Sequence, residues 1–287
     1  MNLNLRIGGV RFAFDSDRPI TVEESLAPFF CSNEKVIDVN IRIRHDPAAV
    51  QLPPAGTMIG EDLLMEYYRA DGDLFCLTKG GQGRYLACCV SDADARELTC
   101  YVGFPSGSAV DTLGNVLRMI PLMRILQQHG VLFFHASQIA VGGAGILFTA
   151  PSGTGKTTQA RLWERSRSAR IICNDRTLTD GLQTYGFPVD GSAPVISGEI
   201  LRLGAVTVLE QAPENTVRRL RPREALVRLM PQLIIDTWDP GSRAKAAELL
   251  LELLTHVPVY LLSCTPDERA VRCLEQQLWK DGVILHE

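Results

Sequence analysis

Residues 150–157 read Ala-Pro-Ser-Gly-Thr-Gly-Lys-Thr. The run matches the G-x-x-x-x-G-K-[ST] pattern of phosphate-binding loops, with Ala150 standing at the first glycine position. Gly153 and Gly155 let successive backbone N–H groups turn inward around a phosphate. The helix that follows adds its positive dipole end. Lys156 can reach β- and γ-phosphate oxygens, and the Thr157 hydroxyl can ligate Mg²⁺. Ser152, Gly153, Thr154, Gly155, Lys156, Thr157 and Thr158 are therefore the candidate nucleotide-binding residues. The bland alternative is a chance match in a glycine-containing turn. An apolar strand over 146–149 before the loop and a helix over 157–163 after it weigh against that alternative. The motif points to nucleotide phosphate and leaves the reaction open.

A magnesium–nucleotide site also needs a carboxylate near the end of a neighbouring strand. The short apolar strand 170–173 ends in Asn174-Asp175-Arg176. Asp175 is the candidate metal contact, catalytic base, or both; Arg176 is a candidate screen for phosphate charge. Against these stand two structural roles, a turn cap for Asp175 and a surface ion pair for Arg176. His135 lies in Phe-Phe-His-Ala-Ser on the strand before the loop strand. A histidine among apolar residues is more often a satisfied core residue than a catalytic one, so both readings stay open. His45, His129, His256 and His286 offer no constellation.

The elements that must position these residues change character along the chain. Residues 1–112 read as β-rich, with alternating segments at 3–7, 10–14, 36–43, 74–78 and 85–90 punctuated by Gly, Asp and Pro. No chemistry is visible there, and its acidic residues read as solvated turns. From 113 to 287 an apolar helix ending near Gly130 leads into strands at 131–140, 146–150, 170–173, 206–210 and 257–263. Helices are expected at 157–164, 222–229 and 243–256, and Thr265 is expected to cap a last helix. Strands alternating with helices argue for an α/β core. The segment 218–223, Arg-Arg-Leu-Arg-Pro-Arg, reads either as a receiver for an acidic group or as a solvated turn.

Composition excludes several classes. Hydrophobic residues make up 46% and charged residues 22%, which argues against disorder. The 29 Lys and Arg against 33 Asp and Glu give a net charge of −4, so there is no global pull toward nucleic acid or anionic membrane. Residues 1–6 are followed by no apolar signal core. Arg118 and Arg124 interrupt the apolar run over 116–132, which rules it out as a membrane span. The eight cysteines form no C-x-x-C pair and read as reduced thiols of a cytoplasmic protein.

With His135, the loop and Asp175 in order, the run FFHASQIAVGGAGILFTAPSGTGKTTQARLWERSRSARIICNDRTL resembles the catalytic core of the HPr kinase/phosphorylase family. Phosphoenolpyruvate carboxykinase shares that core more distantly. The segments at 135–137, 151–163 and 209–215 are most similar to the HPr-kinase-like proteins encoded beside peptide-modification genes. The resemblance spans roughly residues 115–285. It implies a mixed-sheet P-loop core, with Lys156 and Thr157 on phosphates and Mg²⁺. It also implies that Asp175 takes the acceptor proton and that His135 tunes Asp175. Glu199 matches the Glu of the family segment E-I-R-G-x-G and would be a second acid near the metal. Two positions depart from the family: Asn174 replaces the first Asp of its acidic pair, and Leu201 replaces its Arg, with Arg202 one place on.

These readings lead to an ATP- and Mg²⁺-dependent kinase. It would transfer the γ-phosphoryl group to a Ser or Thr hydroxyl of a peptide or small protein, or to a small alcohol. Homo-oligomerisation is left open. The alternative is a non-catalytic nucleotide-binding subunit of a peptide-modifying assembly, which Asn174 and Leu201 favour. A carboxykinase-like lyase ranks last, because its extra metal-binding Lys and His cannot be placed.

Overall fold

A computed structural model describes residues 1–31, 36–53, 55–188 and 197–285. The chain is mixed α/β, built on two mixed sheets. It divides into two compact units, Met1–His129 with Asp236–Ser242, and Gly130–Ile235 with Arg243–Glu287.

The first unit holds β1 (Asn2–Ile7), β2 (Val10–Ser16), β3 (Val39–Arg44), β4 (Thr57–Glu61), β5 (Met65–Ala70), β6 (Asp73–Lys79), β7 (Tyr85–Ser91) and β8 (Glu97–Val102). They form one sheet in the order β1-β2-β3-β8-β7-β6-β5-β4. Every second residue faces inward, as in Val39, Ile41 and Ile43 on β3 and Leu98, Cys100 and Val102 on β8. The strands β4, β5 and β8 were not expected from the sequence. β4 lies largely open to solvent and pairs only with β5 at the sheet edge, so it carries little apolar alternation.

The single helix expected from Leu113 toward Gly130 is two helices, α1 (Leu113–Met119) and α2 (Leu122–Gln128). Pro121 between them has no N–H to donate and bars its predecessor from helical geometry, so Ile120 is extended at ψ 157°. Both helices belong to the first unit, as does the returning segment Asp236–Ser242. Trp238 of that segment stacks on Tyr67 at 4.0 Å. Arg124 pairs with Asp239, and Gln127 Nε2 donates to the Ser242 carbonyl at 2.9 Å. The boundary therefore falls at 129/130 rather than at 112/113.

The first unit also corrects the expectation that its acidic residues are solvated in turns and that His45 offers no constellation. His45 is buried, with Nδ1 2.8 Å from Asp17 Oδ1 and Nε2 3.1 Å from Asp111 Oδ1. Asp111 is itself fully buried, and its Oδ2 accepts the Gly107 N–H at 2.8 Å.

The second unit contains β9 (Leu132–Val141), β10 (Ala144–Thr149), α3 (Lys156–Arg167), β11 (Arg170–Cys173), β12 (Arg176–Thr179) and β13 (Gln183–Tyr185). These are followed by β14 (Ile200–Gln211), β15 (Thr216–Arg219), α4 (Pro222–Leu229), α5 (Ser242–His256, whose first residue belongs to the first unit), β16 (Val259–Cys264) and α6 (Glu268–Lys280). Gly142 and Gly143, at φ 52° and 74°, make the two-residue turn that folds β10 back on β9. β10 pairs in parallel with β14, and β14 in parallel with β16.

Alternate residues of these parallel strands feed two cores. Leu147, Val206, Val208 and Leu261 pack with Leu229 of α4 and Leu250 and Leu253 of α5. Ile146, Phe148, Leu209 and Leu262 pack with Ala160 and Trp163 of α3 and Leu274 of α6. Both faces of the parallel strands are thus covered, which explains their unbroken apolar runs. The strand expected at 206–210 extends back to Ile200, where it pairs with β13. Of the Arg-rich segment, Arg218 and Arg219 lie on β15, antiparallel to β16, Arg221 precedes α4 and Arg223 lies on it. The last helix is capped by Asp267, which accepts the Arg269 N–H, rather than by Thr265. Thr265 instead donates its hydroxyl to Asp267 at 2.8 Å.

Candidate phosphate-binding site

The loop over 150–155 joins the C-terminal end of β10 to the first turn of α3. Gly153 and Gly155 sit at φ 78° and 118°, a region that residues with a Cβ enter only under strain. No side chain caps the N-terminus of α3, whose N-cap is Gly155. Its first N–H groups are therefore available to an anion. Ser152, Gly153 and Thr158 are exposed, and Thr154, Gly155 and Thr157 are half-buried.

Lys156 opens α3 and is buried. Its Nζ donates to the carbonyls of Ala150 and Pro151 at 2.8 and 3.4 Å. It is thereby held inside the curl of the loop. Burial lowers its pKa, and the negative charge of Asp175 opposes that shift. The ammonium and the carboxylate thus share one local field.

Asp175 sits between β11 and β12, which run one after the other along β9. Its backbone is fixed by the Ala136 N–H, which donates to the Asp175 carbonyl at 3.0 Å. The neighbouring Asn174 carbonyl accepts the Ser137 hydroxyl at 2.7 Å. His135 Nε2 then lies 3.0 Å from Asp175 Oδ1, and each side chain is about one-third exposed, 33% and 34%. Arg176 Nε lies 3.7 Å from the other oxygen, Oδ2. His135 is held from the loop side as well, because the Thr149 hydroxyl donates to its carbonyl at 2.9 Å. The core-only reading of His135 and the turn-cap reading of Asp175 both give way to a partly open pair.

Glu199 is not brought to this pair. Its carboxylate is held at 2.6 Å by Arg170, which opens β11, whereas Asp175 follows the end of that strand. Of the expected metal set of Thr157, Asp175 and Glu199, Glu199 is thus engaged by Arg170. Among the described residues no cluster of three or more His, Cys, Asp or Glu side chains could hold a metal ion. Arg202, one place beyond Leu201, donates to the Val283 carbonyl at 2.6 Å and does not approach the loop.

Two hollows flank the loop. One, of about 580 Å³, lies between residues 151–154, the end of β14, and α4, with Glu210 and Arg228 in its lining. The other, of about 530 Å³, lies between residues 153–159, residues 211–213 and residues 264–266. Sequence reasoning missed both. For Glu210 a signal existed, an apolar strand ending in an acid. For the second hollow there was none, because its walls are loops far apart in the chain.

The strand, the glycine-rich loop, the uncapped helix and the His–Asp pair belong to a mixed α/β chain. No protein-family profile matches the chain, and no curated protein matches it in sequence. No helix among the described residues is long and apolar enough to cross a membrane, and all eight cysteines are free.

Proposed function

We propose that the chain is an ATP-dependent phosphotransferase with a core of the HPr-kinase type, acting on a hydroxyl. The observation that carries this reading is the 3.0 Å contact of His135 with Asp175. A loop that only bound nucleotide would need no such pair.

Thr157 and Asp175 are the residues that fit Mg²⁺, a small oxygen-loving ion that takes one or two protein ligands and completes its shell with phosphates and water. When bound, Mg²⁺ neutralises charge on the β- and γ-phosphate oxygens. Lys156 and the free N–H groups of α3 hold the phosphates. Asp175 orients the acceptor hydroxyl and takes its proton as the new O–P bond forms and the β–γ bridge opens. His135 fixes the free carboxylate's direction through Oδ1. The acceptor is a Ser or Thr hydroxyl of a peptide or small protein, or a small alcohol.

The first test is binding. Lys156→Ala removes a charge-assisted contact, and loss of about 1.5–3 kcal/mol predicts roughly 10–150-fold weaker MgATP binding by calorimetry. Equal affinities would sink the assignment of the loop.

A further inference from the structure

The Arg-rich segment begins on an open sheet edge. Among the described residues β15 pairs with β16 alone. Just beyond it, the Leu220 N–H donates to the Val259 carbonyl at 2.7 Å. In an antiparallel ladder, hydrogen-bonded pairs alternate with non-bonded ones. Thr216 with Ser263 and Arg218 with Leu261 are therefore bonded pairs, in step with Leu220 and Val259. The N–H and C=O groups of Val217 and Arg219 point away from β16, and no described backbone group meets them.

The strand itself is fixed on both faces. Val217 packs against the core that holds Val271 and Leu274 of α6. Leu220 is buried in the core that holds Leu229 of α4. The ladder with β16 has no register shift. The edge strand β4 of the first unit, in contrast, is interrupted between Met58 and Gly60, the kind of bulge that spoils an edge for pairing.

Charge decides what the β15 edge accepts. Arg218 is taken by Glu224, whose Oε2 accepts from Nη1 at 2.9 Å. Arg219, Arg221 and Arg223 are exposed, and no described carboxylate forms an ion pair with them. Arg219 stands opposite Tyr260, and the acid on that tyrosine, Asp281, is committed to the Tyr260 hydroxyl at 2.6 Å and to Gln277 at 2.9 Å. A second copy of β15 is disfavoured, because it would set arginines against arginines, and like charges placed opposite destabilise a strand pair. A phosphate chain would meet the arginines but brings no alternating donors and acceptors to Val217 and Arg219. An extended polypeptide with carboxylate side chains brings both.

We infer that β15 is a docking edge for an acidic, extended segment of another polypeptide. The segment adds as a further strand beside Val217 and Arg219, with its carboxylates on Arg219, Arg221 and Arg223. This surface does not depend on the phosphate loop.

The probe is a fluorescein-labelled octapeptide of alternating Glu and Thr. Its controls are the alternating Lys and Thr peptide, an acidic copy N-methylated at every backbone nitrogen, and oligothymidylate. Anisotropy is read in about 50 mM salt, where surface charges are little screened. The wild type should bind the acidic peptide at least tenfold more tightly than the basic peptide or the N-methylated copy. The triple variant Arg219→Glu, Arg221→Glu, Arg223→Glu should bind it at least tenfold more weakly, with an unchanged circular-dichroism spectrum. Hydrogen exchange locates the contact without any variant: the acidic peptide should slow exchange of the Val217 and Arg219 amides at least tenfold. Equal binding of the N-methylated copy or of oligothymidylate, without protection of those two amides, would mark a general anion patch and overturn the inference. Failure of the wild type to bind the acidic peptide at millimolar concentration would overturn it too. Neither result touches the phosphate-loop reading, which MgATP calorimetry decides separately.

Discussion

At the scale of single residues, Asp175 keeps Oδ1 3.0 Å from His135 Nε2 while remaining about one-third exposed. A carboxylate in that position can be reached by a hydroxyl and is already aimed. Asp175→Asn preserves shape and a turn-capping oxygen but cannot accept the proton. Turnover should fall by about 10²–10⁴, with the melting temperature unchanged in the same sample; retained turnover would return Asp175 to a structural role. His135→Gln should lower kcat while leaving MgATP affinity within twofold, because His135 touches Asp175 and not the loop. A variant that lost stability yet kept full kcat would mark His135 as a packing residue. Both side chains were legible in the sequence, because a polar residue at a strand end or inside an apolar strand is itself a signal. The partner of Glu199 was not legible for the opposite reason. Its assignment came from a resemblance, and nothing local to it encodes the 2.6 Å partner Arg170.

At the scale of elements, the phosphate loop works only if its glycines hold their positive φ angles. Gly155→Ala at φ 118° should cost about 1–3 kcal/mol of strain. That corresponds to a melting temperature lower by a few degrees and to weaker MgATP binding; an unchanged melting curve would show that the loop needs no glycine there. The loop, β9, β10 and α3 were readable because their apolar periods are long and their turn residues explicit. The strands β12, β13 and β15, of four, three and four residues, are too short to show a period, and pairing rather than propensity makes them. The break at Pro121 was written in the sequence and overridden there by the apolar pattern on either side of it. The His45 clamp was not legible at all, since its partners lie 28 and 66 positions away. It ties the ends of β2 and β3 to the segment before α1. His45→Ala leaves Asp111 Oδ1 buried without its imidazole partner, so the first unit should lose about 1–3 kcal/mol. A shift in the urea midpoint with unchanged slope would report it, and no shift would mean that water replaces the imidazole.

At the scale of the whole molecule, the chain leaves the first unit after His129 and returns to it over Asp236–Ser242 before completing the second. A seven-residue return of this kind must be held by few contacts, and two of them are Trp238 on Tyr67 and Asp239 with Arg124. Asp236 works against them. It is 6% exposed, and its Oδ2 has no partner. Burial pushes its carboxyl up from the ordinary 3.8 to about 6, with the nearby charge of Asp239 adding to the shift. A carboxyl whose folded pKa lies above its unfolded one binds more protons in the native state. Between the two values the unfolded chain is already ionised while the folded chain is not, so stability falls as pH rises from about 4 to about 6 and is level above that. A shift of about two units corresponds to a penalty on the order of 3 kcal/mol above pH 7. Asp236→Asn removes the titrating charge and keeps the shape. The variant should match the wild type at pH 4 and exceed it in stability at pH 7.5, and the gap should open between about pH 4 and 6. Because other carboxyls titrate in the same range, the quantity to read is the difference between the two proteins in urea midpoints across pH. A constant difference would show that Asp236 is hydrated in the folded chain, and that the returning segment is looser than its stacked Trp238 implies.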